Sequence, residues 1–280
     1  MDKTIRAKKA LGQHFLIDAA YCRRIVEFAG LEDSDSVIEI GPGTGRLTRL
    51  LLDRVARVTG IEVDTELIQF LKQTFSGYLQ TGQFQLLEQD ARQIDWGRLP
   101  PSDKSGPSLS RTGPTVKVIG NLPYNIATRI IRMTCEVPVG FQSATFMTQK
   151  EVAERILADC GGRDYGYLTV LVESRFRRLR GFDIPPGAFR PRPKVVSHVF
   201  QLRPRPPEEH PIDFPRFDRL VQWAFGHRRK TLWNNLLPRI GDAGLLKDAL
   251  HRAAIDPRAR PESITLEQFS CLSSVLSLVS

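Results

Sequence analysis

Val37-Ile38-Glu39-Ile40-Gly41-Pro42-Gly43-Thr44-Gly45 decides how the rest of this chain is read. An apolar, β-branched run enters a glycine-rich turn, and a helical pattern follows over residues 46–52. Strand, glycine turn and helix in that order form the nucleotide-cradling corner of a doubly wound sheet. Glycines such as Gly41 and Gly43 let a ligand approach the backbone closely. The spacing differs from the dinucleotide fingerprint, and the Lys-Ser/Thr of a phosphate loop is missing. Pro42 also removes an N–H where a pyrophosphate would need donors. The turn therefore suits a nucleoside without phosphates.

Working outward, short β-branched runs alternate with helical patterns from about residue 35 to residue 200. Residues 36–40, 55–61, 84–87, 116–119 and 143–147 read as strands, and 45–53 and 65–75 as helices. Residues 176–182 and 195–202 are two further candidate strands. The alternation predicts an α/β fold, a Rossmann-like parallel sheet with helices on both faces. Ligands of such sheets bind at the C-terminal strand ends, near the point where the strand order reverses. Residues 99–115 are almost devoid of apolar side chains and read as a mobile surface insertion. A proline-rich connector at 203–211 precedes helical patterns at 214–226, 230–240, 243–254 and 266–279. The expected organisation is a large domain over 1–205 and a small all-α domain over 206–280.

Acidic residues mark the cofactor end. Glu62 lies roughly 20 residues beyond the glycine turn, at the end of the second strand, where a carboxylate can bridge two ribose hydroxyls. Asp90 follows the third strand and is placed to accept from an adenine amine. Asp64 reads as the N-cap of the helix at 65–75. Glycine turn, Glu62 and Asp90 in that order favour S-adenosylmethionine over NAD.

Asn121-Leu122-Pro123-Tyr124 ends the strand at 116–119. Proline fixes its own φ and pushes Leu122 into an extended conformation. The Asn121 side-chain oxygen and the Leu122 carbonyl then face one space. There they can accept both hydrogens of an aromatic amine while Tyr124 stacks on the ring. Taken alone, the four residues also read as a strand-terminating turn with a half-buried tyrosine.

Composition bounds the partners. The chain has 280 residues, 41% of them hydrophobic, and 40 Lys+Arg against 31 Asp+Glu, a net charge of +9. A basic globular protein suggests a polyanionic partner. Cys22, Cys135, Cys160 and Cys271 are scattered without metal-ligand spacing and read as reduced thiols. His198, His210, His227 and His251 show no metal spacing either. The N-terminus carries charge with no apolar segment behind it, and no apolar run approaches membrane-spanning length. A cytoplasmic protein without metal or membrane partner is expected.

The motifs together resemble the ribosomal RNA adenine dimethyltransferase family, on its small-subunit branch. Gly12-Gln13-His14-Phe15-Leu16 is similar to the family's N-terminal cofactor motif, residues 39–45 to its glycine motif, and Asn121–Tyr124 to its target-base motif. Residues 147–156, 189–197 and 225–236 resemble later family segments. The resemblance implies N6,N6-dimethylation of two adjacent adenines in the 3′-terminal hairpin loop of small-subunit rRNA, within a pre-assembled subunit, and a part in its maturation. It implies that His14 and Leu16 contact the methionine and ribose portions of the cofactor. Gly41, Glu62, Asp90 and Asn121 would complete that site. Asn121, Leu122 and Tyr124 would hold the target adenine, with Phe189 stacked on its opposite face. Gln89, Arg92 and Trp233 depart from the family's usual Gly, Leu and basic residue, the first two beside Asp90.

RNA-backbone contacts are expected from Arg190, Arg192 and Lys194, which flank prolines near Phe189, and from Arg228, Arg229 and Lys230, read as the start of a helix. The basic run at 175–180 reads equally as a solvated edge strand. Trp223 and Phe225 sit at helical spacing with Leu220 and read as core. Rival readings are a large-subunit rRNA or DNA adenine methyltransferase, or a non-catalytic assembly or transcription factor on the same fold.

Overall fold

A computed structural model describes residues 7–8, 11–96, 115–136, 140–210 and 213–277. Apart from Thr115, the segment expected as an insertion at 99–115 lies outside these residues. The elements begin with β1 (Phe15–Leu16), α1 (Ala19–Ala29), β2 (Ser36–Ile40), α2 (Arg46–Leu52), β3 (Arg57–Glu62), α3 (Thr65–Thr74) and α4 (Ser76–Thr81). They continue with β4 (Phe84–Glu88), β5 (Val116–Asn121), α5 (Ala127–Glu136), β6 (Ser143–Gln149), α6 (Lys150–Leu157), α7 (Tyr167–Glu173), β7 (Phe176–Ile184), β8 (Phe189–Arg190) and β9 (Ser197–Pro204). Four helices close the chain: α8 (Phe214–Ala224), α9 (Leu232–Ile240), α10 (Ala243–Arg252) and α11 (Leu266–Ser277).

Seven strands form one sheet in the order β4-β3-β2-β5-β6-β9-β7. The pairs from β4 to β6 are parallel, and β9 runs antiparallel to β6. Four of the five β2 residues and five of the six β3 residues are buried in unbroken runs. That pattern belongs to parallel strands covered on both faces. On one side, Val37, Val58 and Ile119 pack with Ile25 of α1, Leu51 of α2 and Leu71 of α3 in a single core. The order reverses at β2, which has β3 on one side and β5 on the other. The C-terminal ends of β2, β3 and β5 carry the glycine turn, Glu62 and Asn121, so all three converge on the switch point.

The chain divides into two compact units, and the division is not linear. One unit holds Met1–Ala153 and Arg178–Pro204, the other Glu154–Arg177 and Arg205–Ser280. The expected cut at 205 therefore misassigns the segment from Glu154 to Arg177. The reason lies in its packing partners. The Tyr165 hydroxyl donates to the Ile264 carbonyl at 2.9 Å, and its ring meets Phe225 edge-on at 6.2 Å. Arg228 donates to the Arg163 carbonyl at 2.7 Å, and Tyr167 to Asp218 at 2.5 Å. The sequence alone says nothing of which distant helix covers α7.

Candidate active site

The glycine turn is held at both ends. Gly41 N–H donates to the Ile61 carbonyl at 2.9 Å and Gly45 N–H to Pro42 at 2.9 Å. Gly43 has φ +56°, a conformation that favours glycine, and its N–H points to Glu62 Oε2 at 3.3 Å. Gly45, at φ +74°, has packing as a further reason to be glycine: a Cβ there would lie 2.5 Å from the ring of Phe75, which caps the end of α3.

Glu62 is 6% exposed, and its carboxylate is fixed by backbone donors. Oε1 accepts from Val63 N at 3.0 Å and Asp64 N at 3.1 Å. Burial pushes its pKa up, and these hydrogen bonds pull against that push. Asp64 caps α3 as expected, accepting from Glu66 N at 3.1 Å. It also accepts from Lys8 Nζ at 2.6 Å and Gln13 Nε2 at 3.0 Å. Asp64 is thereby the anchor of the N-terminal motif, a role that the sequence did not reveal.

Asn121 Nδ2 donates to the His14 carbonyl at 3.0 Å. With the amide nitrogen engaged, Oδ1 remains as an acceptor. His14 is itself held, its Nδ1 2.7 Å from the Pro191 carbonyl and its ring stacked on Tyr124 at 5.5 Å between centroids. The Tyr124 hydroxyl bonds Ser197 Oγ at 2.7 Å. Burial raises its pKa, so the phenol is neutral near pH 7.

These groups line one open cleft of about 850 Å³. His14, Gly41, Gly43, Glu62, Asp90, Asn121, Leu122 and Tyr124 all border it, together with Arg92 and Val63. Val63 is 46% exposed, an apolar wall beside Glu62 that no pattern in the sequence singled out. The lining fits a nucleoside: a buried carboxylate for hydroxyls, an apolar strip for a base face and a turn without phosphate donors. Among the described residues, no group of three or more His, Cys, Asp or Glu side chains could hold a metal.

Not every expected residue lies here. Leu16 is 8% exposed and borders an adjoining pocket behind Gly41 and Asn121. Phe189 is fully buried in the core with Leu16, Ile184 and Val199. It pairs with Leu16 in the β1–β8 ladder and is not among the residues that border the cleft. Arg190, Arg192 and Lys194 are exposed, with Arg190 in β8. Arg228, Arg229 and Lys230 are also exposed, but they form the turn before α9. The helix itself starts after Thr231, whose hydroxyl accepts from Asn234 N at 3.3 Å. In the basic run, Arg177 pairs with Glu209 at 3.0 Å, and Arg175 lies 4.1 Å over Phe214, so both serve packing. Phe225 packs on Tyr165 and Phe269, as core should.

Behind the turn, Glu39 is wholly buried, with Oε2 accepting from Thr48 Oγ1 at 2.7 Å. Burial raises its pKa to about 7, and the charge of Glu62 adds to the effect. The folded state therefore binds a proton that the unfolded chain has already released. Its contribution to stability is complete below about pH 4.5 and is lost as pH rises through 7. The expected fall is on the order of 3 kcal/mol. Urea titrations of wild type and Glu39→Gln between those limits check this, because the variant should lose most of the slope.

A model described as ribosomal RNA adenine dimethylase matches residues 4–277. A ribosomal RNA small subunit methyltransferase A of Clostridium botulinum is 39% identical over 269 residues, 96% of this chain and 93% of that protein. Its namesake from Pseudomonas aeruginosa is 38% identical over 97% of this chain and 95% of its own length. Among solved structures, the 23S rRNA methyltransferase ErmE superposes with a TM-score of 0.68 at 27% identity, covering 94% of this chain and 99% of its own. A dimethyladenosine transferase from Plasmodium falciparum shares the fold at a TM-score of 0.71 and 24% identity, over 92% and 95% of the two chains. The glycine turn, the acidic wall and the Asn121 turn thus occur in a chain that belongs to the ribosomal RNA adenine dimethylase family.

Proposed function

We propose that the protein dimethylates N6 of two adjacent adenines in the 3′-terminal hairpin loop of small-subunit rRNA, with S-adenosylmethionine as methyl donor. The observation that carries this reading is the Asn121 amide. Its nitrogen is spent on His14, which leaves Oδ1 as an acceptor in the cleft that Glu62 also borders. S-Adenosylmethionine, when bound, supplies an electrophilic methyl on a sulfonium leaving group. Glu62 would accept from its ribose hydroxyls, and Val63 would lie against its base.

The chain's own work is positioning. The target nitrogen is a poor nucleophile because its lone pair conjugates with the ring. Asn121 Oδ1 and the Leu122 carbonyl, each accepting one N–H, favour a pyramidal nitrogen and free that lone pair. Tyr124 supplies the ring face, oriented by Ser197 and His14. Catalysis then rests on orientation and preorganised dipoles, with no covalent intermediate. Asn121 is neutral and takes no proton; the methylated nitrogen is cationic and strongly acidic, and releases its proton to solvent after transfer. A loop adenine leaves its stack at lower cost than a paired one.

The small-subunit target is favoured over the large-subunit one by the relatives. Those named for the small subunit reach 39% identity, whereas the 23S methyltransferase stands at 27%. We further read a pre-assembled small subunit in the cytoplasm as substrate, with Arg190, Arg192, Lys194, Arg229 and Lys230 on its phosphates. Mass analysis of small-subunit rRNA from cells lacking the gene tests the central reading. Two dimethyladenosines should disappear and return with the wild-type gene. Their persistence in the deletion strain would overturn it.

A further inference from the structure

We propose that Arg92 sets the affinity and base discrimination of the cofactor site by competing with the cofactor's base for the Asp90 carboxylate. The proposal rests on the S-adenosylmethionine reading above. Asp90 is the group expected to accept from the adenine amine, yet a single neighbour already surrounds it. Oδ1 accepts from Arg92 N at 2.8 Å and Arg92 Nε at 3.0 Å. Oδ2 accepts from Nε at 2.9 Å and from Nη2 at 2.5 Å. The single Nε hydrogen is shared between the two oxygens, so three N–H groups of Arg92 occupy most of the carboxylate's about four acceptor positions. The Arg92 side chain is no bystander from outside, because it borders the same cleft as Asp90 and Glu62.

The backbone contact is the capping bond of the short 3-10 turn Ala91–Gln93 and is independent of the residue type at 92. The guanidinium contacts depend on it. Their side chain is 46% exposed, so solvent can take over when the pair opens. An adenine amine reaching Asp90 must therefore compete with the guanidinium, and part of its binding energy is spent on weakening an ion pair. A base carrying an oxygen in place of the amine meets the opposite situation. It can leave the pair intact or accept from the guanidinium. Wild type should accordingly distinguish the two bases poorly, although Asp90 by itself would reject the oxygen.

Calorimetry on the full chain with S-adenosylhomocysteine and S-inosylhomocysteine tests this. Arg92→Leu should bind the adenine form about two- to fivefold more tightly, the range for an exposed ion pair. The ratio of inosine to adenine dissociation constants should rise in the same variant. Adding Asp90→Asn to Arg92→Leu should abolish both gains, while Asp90→Asn alone should change adenine affinity less than it does in the leucine background. Unchanged or weaker adenine binding by a folded Arg92→Leu would overturn the proposal, weaker binding meaning that the guanidinium touches the cofactor itself. Failure of wild type and Arg92→Leu alike to bind S-adenosylhomocysteine would instead overturn the cofactor reading, and this proposal with it.

Discussion

Replacing Asn121 by alanine should lower the methyl-transfer rate by about 100- to 1,000-fold, the usual cost of deleting one preorganised polar group at a reacting centre. The side chain has two jobs at once. Nδ2 ties the end of β5 to the His14 carbonyl, and Oδ1 is left for the target amine. Alanine removes both, so the target nitrogen keeps its conjugated lone pair and loses its alignment. The loss should appear in kcat under saturating RNA and cofactor, because the interaction strengthens as the nitrogen pyramidalises. Glu62 and Val63 are untouched, so affinity for S-adenosylhomocysteine should fall far less than the rate. Single-turnover assays on small-subunit particles, paired with calorimetry, separate the two. Near-normal transfer by Asn121→Ala would defeat this account of the chemistry.

Lys117→Met should destabilise the protein by about 3–5 kcal/mol, the range for breaking one side of a buried ion pair. Lys117 Nζ lies 2.7 Å from Asp35 Oδ2, and the two side chains are 8% and 1% exposed. The same ammonium donates to the Gly30 carbonyl at 2.6 Å, where α1 ends. Asp35 also accepts from Glu32 N at 2.7 Å, and its Oδ1 is buried with no partner among the described residues. Methionine fills the space of the lysine stem but leaves a carboxylate charged and uncompensated. Adding Asp35→Asn should recover a substantial part of the loss by removing that charge. Equilibrium urea unfolding gives both values, and a loss below about 1 kcal/mol for Lys117→Met would show the pair to be solvated.

Both side chains show where sequence reading stops. The turn containing Asn121 is legible because proline and asparagine act on their immediate neighbours. That Lys117 on β5 meets Asp35 before β2 depends on the parallel register pairing Ser36 with Val116. A motif places Phe189 near the target site, whereas its pairing with Leu16 and its burial in the core are visible only in the fold. The sequence places Arg228 among surface cations at the start of a helix, whereas in the fold it donates to two carbonyls far back in the chain, those of Arg163 and Tyr165.

The seven strands of the main sheet, the glycine turn, Glu62, the Asp64 cap and the Asn121 turn are legible in the amino-acid sequence, whereas the short strands β1 and β8 are not. The legible features rest on local geometry: side-chain periodicity, fixed φ angles, or carboxylates at strand ends; the family rests on the resemblance of the ordered motifs. The tertiary structure alone shows that His14 is held by Pro191 and stacks on Tyr124, that Arg92 brackets the Asp90 carboxylate, and that the segment from Glu154 to Arg177 packs with the last four helices. His14 and Pro191 are 177 positions apart. Contacts of that kind depend on strand order and on which apolar faces meet, and no local pattern encodes either.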